Sequence, residues 1–281
     1  MNVMPSPIAR GNARVPSRRP SEEITVEIGG VPIQLRTIDP GFRRVIEERY
    51  SGFLNPSAEP ACSFEIQLTS NELISDEDVR VSRRASTWCL QRGDFRAEWD
   101  LHRREGWIRQ GANPYSIDSV LRITHSLLLA MEGGFQIHAS SAIRGGRAFL
   151  FAGVSGAGKT TTVRLAPPDA IVLTDEISYV RRSESGYRAY GTPFAGELAR
   201  SGANVSAPVQ RICLLKQSLE NRLRPVRRSE AIRALMRHVL FFAQDNEIVE
   251  RVLDSVVQFA SGVEVMEMEF TPDYRAWELV R

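Results

Sequence analysis

Cysteine is scarce in this chain. Cys62, Cys89 and Cys213 are the only three in 281 residues, and none belongs to a C-x-x-C pair. An odd, widely spaced set excludes a disulfide framework, gives no zinc site, and points to a reducing compartment. An excess of one charge is missing too. Lys and Arg number 36 against 34 Asp and Glu, a net charge of +2, so nothing argues for a broad nucleic-acid surface, and any positive charge needed for phosphates is local. No apolar run approaches the roughly 18 residues of a membrane span, and the N-terminus has no apolar core of signal-peptide type. These absences lead to the expectation of a cytoplasmic protein that engages neither nucleic acid nor membrane. The 42% hydrophobic and 25% charged residues are an ordinary globular composition, enough for one large or two smaller domains.

Against that plain background one motif stands out. Gly153-Val154-Ser155-Gly156-Ala157-Gly158-Lys159-Thr160 matches G-x-x-x-x-G-K-[ST] without a mismatch. The apolar run Arg147–Ala152 leading in reads as a strand, and Lys159–Ala166 can open a helix, which is the strand, loop, helix context the motif requires. Glycines let successive N–H groups converge on an anion, Lys159 adds a point charge for the β and γ phosphates, and the Thr160 hydroxyl is of the type that ligates Mg²⁺. The expected ligands are ATP and Mg²⁺. The expected nucleotide contacts are Gly153, Ser155, Gly156, Ala157, Gly158, Lys159, Thr160 and Thr161.

A second apolar run, Ala170–Thr174, reads as a buried strand ending in Asp175-Glu176. Paired carboxylates beside a phosphate cradle suit metal binding and activation of a nucleophile. Upstream, Phe135–Arg144 reads as a strand, with Gly145-Gly146 as a two-residue hairpin turn. If Arg144 pairs with Arg147, His138 stands across from Gly153, where an imidazole can meet a phosphate or an incoming hydroxyl. The alternative is a histidine that caps a strand edge.

Together, the stretch from Ile137 to Val180 resembles the HPr kinase/phosphorylase C-terminal domain and is more distantly similar to the core of ATP-dependent phosphoenolpyruvate carboxykinase. That resemblance implies a P-loop kinase core on a mixed, partly antiparallel α/β sheet. It also implies Mg-ATP-dependent phosphorylation of a serine hydroxyl in a protein or peptide, and a homo-oligomer among the states to be considered. It implies Asp175 as base, Glu176 and Thr160 as metal ligands, and His138 and Lys159 beside them. The family usually carries two aspartates where this chain has Asp-Glu. In ordinary P-loop ATPases Asp takes the metal and Glu the base role, so both orders stay open, with Asp175 also a metal candidate. A nucleotide-binding regulatory module or slow ATPase is the alternative function. A small-acid carboxykinase is a third, for which four scattered histidines supply little.

Residues 1–21, with Arg10, Arg14, Arg18 and Arg19 among Pro and Ser, are expected to be a disordered basic tail. Residues 22–112 form an expected β-rich domain, with strands at Ile24–Ile28, Val31–Leu35 and Phe64–Leu68, a Gly29-Gly30 hairpin and a helix over Pro40–Tyr50. Its tryptophans Trp88, Trp99 and Trp107 are core candidates. Residues 113–281 form the expected nucleotide-binding domain. It opens with an amphipathic helix over Ser116–Met131, with Asn113 and Ser116 as caps and Gly133-Gly134 as its end. His125 on that helix reads as structural or surface. Arg211–Leu215 and Val263–Phe270 read as strands, Glu230–Gln244 and Glu247–Ala260 as helices. Glu197, in the turn-rich Tyr190–Glu197 loop, can meet metal or substrate or belong to a plain connection. Arg233 and Arg237, four apart, are phosphate contacts or solvated charges.

Overall fold

Two sheets share one helix. The computed structural model describes residues 22–70 and 75–280; the expected basic tail lies outside the described residues. The first sheet begins with β1 (Glu22–Ile28) and β2 (Val31–Thr37), paired antiparallel with Ile28 opposite Val31. Gly29 and Gly30 turn the chain with φ of +66° and +69°, a left-handed conformation that glycine adopts without steric cost. Helix α1 (Pro40–Arg49) starts where the Asp39 side chain accepts the Phe42 N–H at 2.7 Å, and it buries Phe42 and Ile46. Strands β3 (Cys62–Leu68), β4 (Arg80–Arg84), β5 (Thr87–Arg92), β6 (Phe95–Asp100) and β7 (Glu105–Gln110) complete the order β1-β2-β3-β7-β6-β5-β4. Trp88 and Trp99 face each other across β5 and β6 and are buried. Trp107 differs from the expectation. It is half-buried, with the Arg96 guanidinium 5.8 Å from its ring centroid.

Helix α2 (Pro114–Met131) is capped by Asn113, whose side chain accepts from the N–H groups of Tyr115 and Ser116. Its apolar positions are buried because it is used by both sheets. Asp118 accepts from Arg49 Nη2 at 2.5 Å and from the Tyr50 hydroxyl, and His125 Nε2 lies 3.1 Å from the Val31 carbonyl. On the other side, Gln136 Nε2 donates to the Arg122 carbonyl at 2.8 Å. His125 is therefore structural, and burial pushes its imidazole down to about 4.

The second sheet comprises β8 (Phe135–Arg144), β9 (Arg147–Ala152), β10 (Ile171–Thr174), β11 (Ile177–Ser183), β12 (Gly186–Tyr190), β13 (Ser206–Gln217), β14 (Arg222–Pro225) and β15 (Glu264–Phe270). Strand β9 pairs with both β8 and β13, so the pairings β8-β11-β12-β13-β9 return to β8 as a closed circuit. Antiparallel and parallel pairs mix: β13 runs parallel to both β9 and β15, the rest antiparallel. Helix α3 (Lys159–Arg164) and helix α5 (Asn246–Gly262) pack against β8, α5 placing Phe259 edge-on to Phe135 at 5.3 Å. A 3-10 turn, Tyr274–Leu279, closes behind α3, where Trp277 Nε1 donates to the Thr162 carbonyl at 2.8 Å.

The fold is thus mixed α/β, two mostly sheet units with few helices. Two local expectations change. The helix expected over Glu230–Gln244 ends early, as α4 (Arg228–Met236). The chain then leaves helical geometry to bridge Ile137 with Val239, His138 N–H donating to the His238 carbonyl at 2.7 Å and Leu240 N–H to the Gln136 carbonyl at 2.9 Å. The unpaired edge of β8 won over local helix propensity, because buried backbone groups must find partners. The run 170–174 is also less buried than expected, with Ile171 exposed and Val172 half-exposed. Among the described residues no helix is long and apolar enough to cross a membrane.

Candidate phosphate-binding site

The register expected for the Gly145-Gly146 hairpin is the one observed: Arg144 pairs with Arg147 and Ala139 with Ala152. The expected pairing of His138 with Gly153 does not follow: β9 gives way to the loop after Ala152, and the His138 N–H donates to the His238 carbonyl at 2.7 Å instead. Gly156 and Gly158 have φ of +77° and +105°. A Cβ at Gly153 would stand 2.7 Å from Ala157 Cβ, and one at Gly158 would stand 2.6 Å from Phe270 Cζ. The glycines are therefore demanded by close approach as well as by dihedral. The end of β13 braces the loop, since Gln217 Nε2 donates to the Gly156 carbonyl at 2.8 Å. Ser155 and Gly156 are exposed at its tip, Ala157 is buried, and Thr160 and Thr161 are half-buried.

Lys159 is 8% exposed, and its Nζ donates to the carbonyls of Gly153 at 3.0 Å and Val154 at 3.3 Å. Burial lowers its pKa, while Glu176 and Glu197 pull it back up. Thus Glu197, although exposed, sends its field to the loop lysine. The buried Ser140 hydroxyl donates to the Lys159 carbonyl at 2.8 Å. Strand alternation puts Gln136, His138 and Ser140 on one face of β8. The first is tied to α2, the last to α3, and His138 lies between the two helices.

The acidic pair sits in a break. Strands β10 and β11 follow one another along the same edge of β8, Thr174 opposite Ser141 and Ile177 opposite His138, with a register irregularity just before. Asp175 and Glu176 fill the interval and point to different partners. Asp175 is 3% exposed, and its two oxygens accept N–H groups from Gly196 at 2.9 Å and Leu198 at 2.8 Å. It holds the 191–198 loop in place. Glu176 is half-exposed, with Oε1 3.6 Å from His138 Nε2. That is an ion-pair distance, too long for a hydrogen bond. The neighbouring His138 holds the Glu176 carboxyl below its ordinary range against the opposing effect of burial, with smaller help from Arg122 and Lys159. Gly196 touches both acids, because a Cβ there would meet Glu176 Oε2 at 2.8 Å and Asp175 Oδ2 at 2.9 Å.

Two residues were missed in the sequence. His238 lies on the strap that bonds His138, and burial, then the charges of Lys159 and His138, lower its pKa. Arg122 lies on α2 with its guanidinium 5.6 Å from the Phe194 ring centroid. Neither had a signal, since His238 falls inside the expected Glu230–Gln244 helix and Arg122 belongs to no motif. Arg233 and Arg237, by contrast, are exposed at the end of α4.

Whether these residues suit ATP and Mg²⁺ can be tested on the geometry. A glycine-bounded hollow with an inward lysine suits a polyphosphate. Among the described residues no group of three or more His, Cys, Asp or Glu side chains forms a metal cage. Mg²⁺ needs none, because it binds through one or two carboxylates plus phosphate oxygens and water. Thr160 and one of the two acids would hold it: Asp175, whose oxygens each accept one N–H and keep a further lone pair, or Glu176.

The family model that matches this chain is that of SynChlorMet cassette protein ScmC, over residues 115–261, more than half of the chain. The chain belongs to that family. The likeness to HPr kinase/phosphorylase and to phosphoenolpyruvate carboxykinase is overturned by this match. It rested on the stretch Ile137–Val180, a phosphate loop with nearby acids, whereas the matched segment runs from α2 nearly to the end of α5. No curated protein matches the chain.

Proposed function

We propose that the protein is a Mg-ATP-dependent phosphotransferase acting on an alcohol acceptor, such as a serine side chain of a protein or peptide, and that residues 153–161 form the P-loop of a kinase core. The observation that carries this reading is the divergence of the two acids beside the loop. Asp175 is spent on the backbone of the 191–198 loop, while Glu176, paired with His138, keeps a carboxylate near Lys159. On this reading the base role passes to Glu176. An ionised carboxylate can accept a proton, and its position beside the loop places it to do so. The depression of its pKa keeps it ionised at neutral pH and lowers its strength as a base. Glu176 takes the proton of the acceptor hydroxyl as that oxygen bonds to the γ-phosphorus and ADP leaves with the electrons of the broken P–O bond. Lys159 neutralises charge on the transferring group, and the loop N–H groups fix its position. His138 orients Glu176. Bound Mg²⁺ supplies charge neutralisation across the phosphates.

The test is to incubate the full chain and γ-labelled Mg-ATP with the products of neighbouring genes, and to locate new phosphate by mass spectrometry. Phosphate on a hydroxyl, lost in Glu176→Gln with ATP binding retained, is the expected result. ATP binding with hydrolysis and no labelled acceptor would favour the alternative, a nucleotide-binding regulatory module or slow ATPase. No ATP binding, or binding indifferent to Lys159→Met, would defeat both.

A further inference from the structure

Arg122 is a cation without an anion of its own. Its Nε is buried and lacks a hydrogen-bond partner, and Phe194 lies under its guanidinium. The acid one turn back on the same helix, Asp118, is already bound by Arg49 and Tyr50. Among the described residues no carboxylate stands within ion-pair distance of Arg122. A donor left unpaired in this way is unfavourable in the isolated protein and becomes favourable when a ligand supplies the acceptor. Aromatic stacking fixes the plane of a guanidinium and leaves its edge for two parallel bonds to an oxyanion.

Its position gives that edge a purpose. Phe194, under the guanidinium, is two residues from Gly196, where a Cβ would meet Glu176 Oε2 at 2.8 Å and Asp175 Oδ2 at 2.9 Å. Phe194 belongs to the same 191–198 loop that Asp175 holds through Gly196 and Leu198. One cation serves the transferring phosphate, and the other stands on a different element, beside the loop that borders both acids.

We infer that Arg122 anchors an anionic group of the acceptor, a carboxylate or a phosphate ester a few bonds from the hydroxyl that Glu176 deprotonates. The inference rests on the phosphotransferase reading and narrows its substrate to hydroxylated anions, including a serine beside a free carboxylate. Arg122 is then a specificity-determining residue.

Three probes of one skeleton separate the cases: D-glycerate, glycerol 3-phosphate and glycerol. The readout is the Arg122 Nε–H resonance of the full chain, assigned by its loss in Arg122→Lys, recorded with and without a non-hydrolysable ATP analogue. The expected result is a saturable shift with one or both anions and none with glycerol, the tighter anion naming the acceptor's group. Arg122→Gln should weaken anion binding about tenfold or more, the loss of one charge-assisted pair, and leave affinity for the analogue within about twofold. A resonance that responds to all three probes or to none, or an Arg122→Gln variant that loses nucleotide as much as anion, would overturn the assignment. Anion binding at Arg122 in a protein that does not bind the analogue would instead overturn the phosphotransferase reading and leave the anion anchor standing.

Discussion

The first sheet keeps its register along every strand pair, whereas the second slips at Val172/Thr174 and at Val209/Arg211, and its strand β9 ends in the phosphate loop. In the first, β5 and β6 spend their paired positions on packing, as Trp88 and Trp99 do. In the second, the groups with chemistry stand where pairing stops: Gly153 after β9, Asp175 and Glu176 between β10 and β11, His238 on the strap along β8. An unbroken ladder uses its backbone groups on itself, and an interruption leaves backbone and side chains to face something else. The lesson is that the candidate site residues here are located by discontinuity.

The largest effect expected on either side is from Trp88→Ala in the first sheet. It should cost about 3–5 kcal/mol of stability, read by calorimetric unfolding, with nucleotide affinity unchanged well below the melting temperature. A parallel loss of affinity would break the separation of roles. Lys159→Met in the second sheet should do the reverse, weakening ATP binding by about a hundredfold, roughly 2.7 kcal/mol, by isothermal titration. Its melting temperature should change much less than in Trp88→Ala, since the variant strands the Gly153 and Val154 carbonyls but also removes a buried charge. Asp175→Asn offers an amide N–H₂ to one of two backbone N–H donors and should destabilise by about 1–3 kcal/mol. Hydrogen exchange of the 191–198 loop should accelerate, and unchanged exchange would remove Asp175 from its holding role.

The smallest effect is a shift with pH. Glu176 has a depressed pKa in the folded protein, so its stabilising contribution is present above the unfolded carboxyl value and is lost as pH falls through the folded one. His138→Gln removes the first cause of that depression. The acid limb of the pH profile for ATP turnover should then move to higher pH, and an unmoved limb would mean that another group titrates there.

Much of this was legible in the chain. The hairpin register at Gly145-Gly146 followed from two glycines between apolar runs, and the loop followed from its own residues. The cap at Asn113 followed from its short polar side chain, which accepts first-turn N–H groups; Asp39 does the same for α1 but was not read from the sequence. What stayed hidden depends on distant partners. That Asp175 turns to Gly196 and Leu198 while Glu176 turns to His138 is decided by a loop some twenty residues on. The early end of α4 is decided by an open edge on β8, about a hundred residues earlier. The likeness to a kinase family failed because a phosphate loop and neighbouring acids recur across families and do not by themselves separate one from another.

Helix α2 carries a practical consequence. Because Asp118 fastens it to α1, His125 to the first sheet, and the Arg122 carbonyl to Gln136 of the second, a cut near residue 112 would expose covered faces on both pieces. A fragment starting at the helix would bare the side that Arg49, Tyr50 and Val31 now cover. One ending before it would leave Tyr50 without its carboxylate and the roof of its sheet open. A fragment cut to the matched family segment, which begins inside this helix, would bare that same side of it.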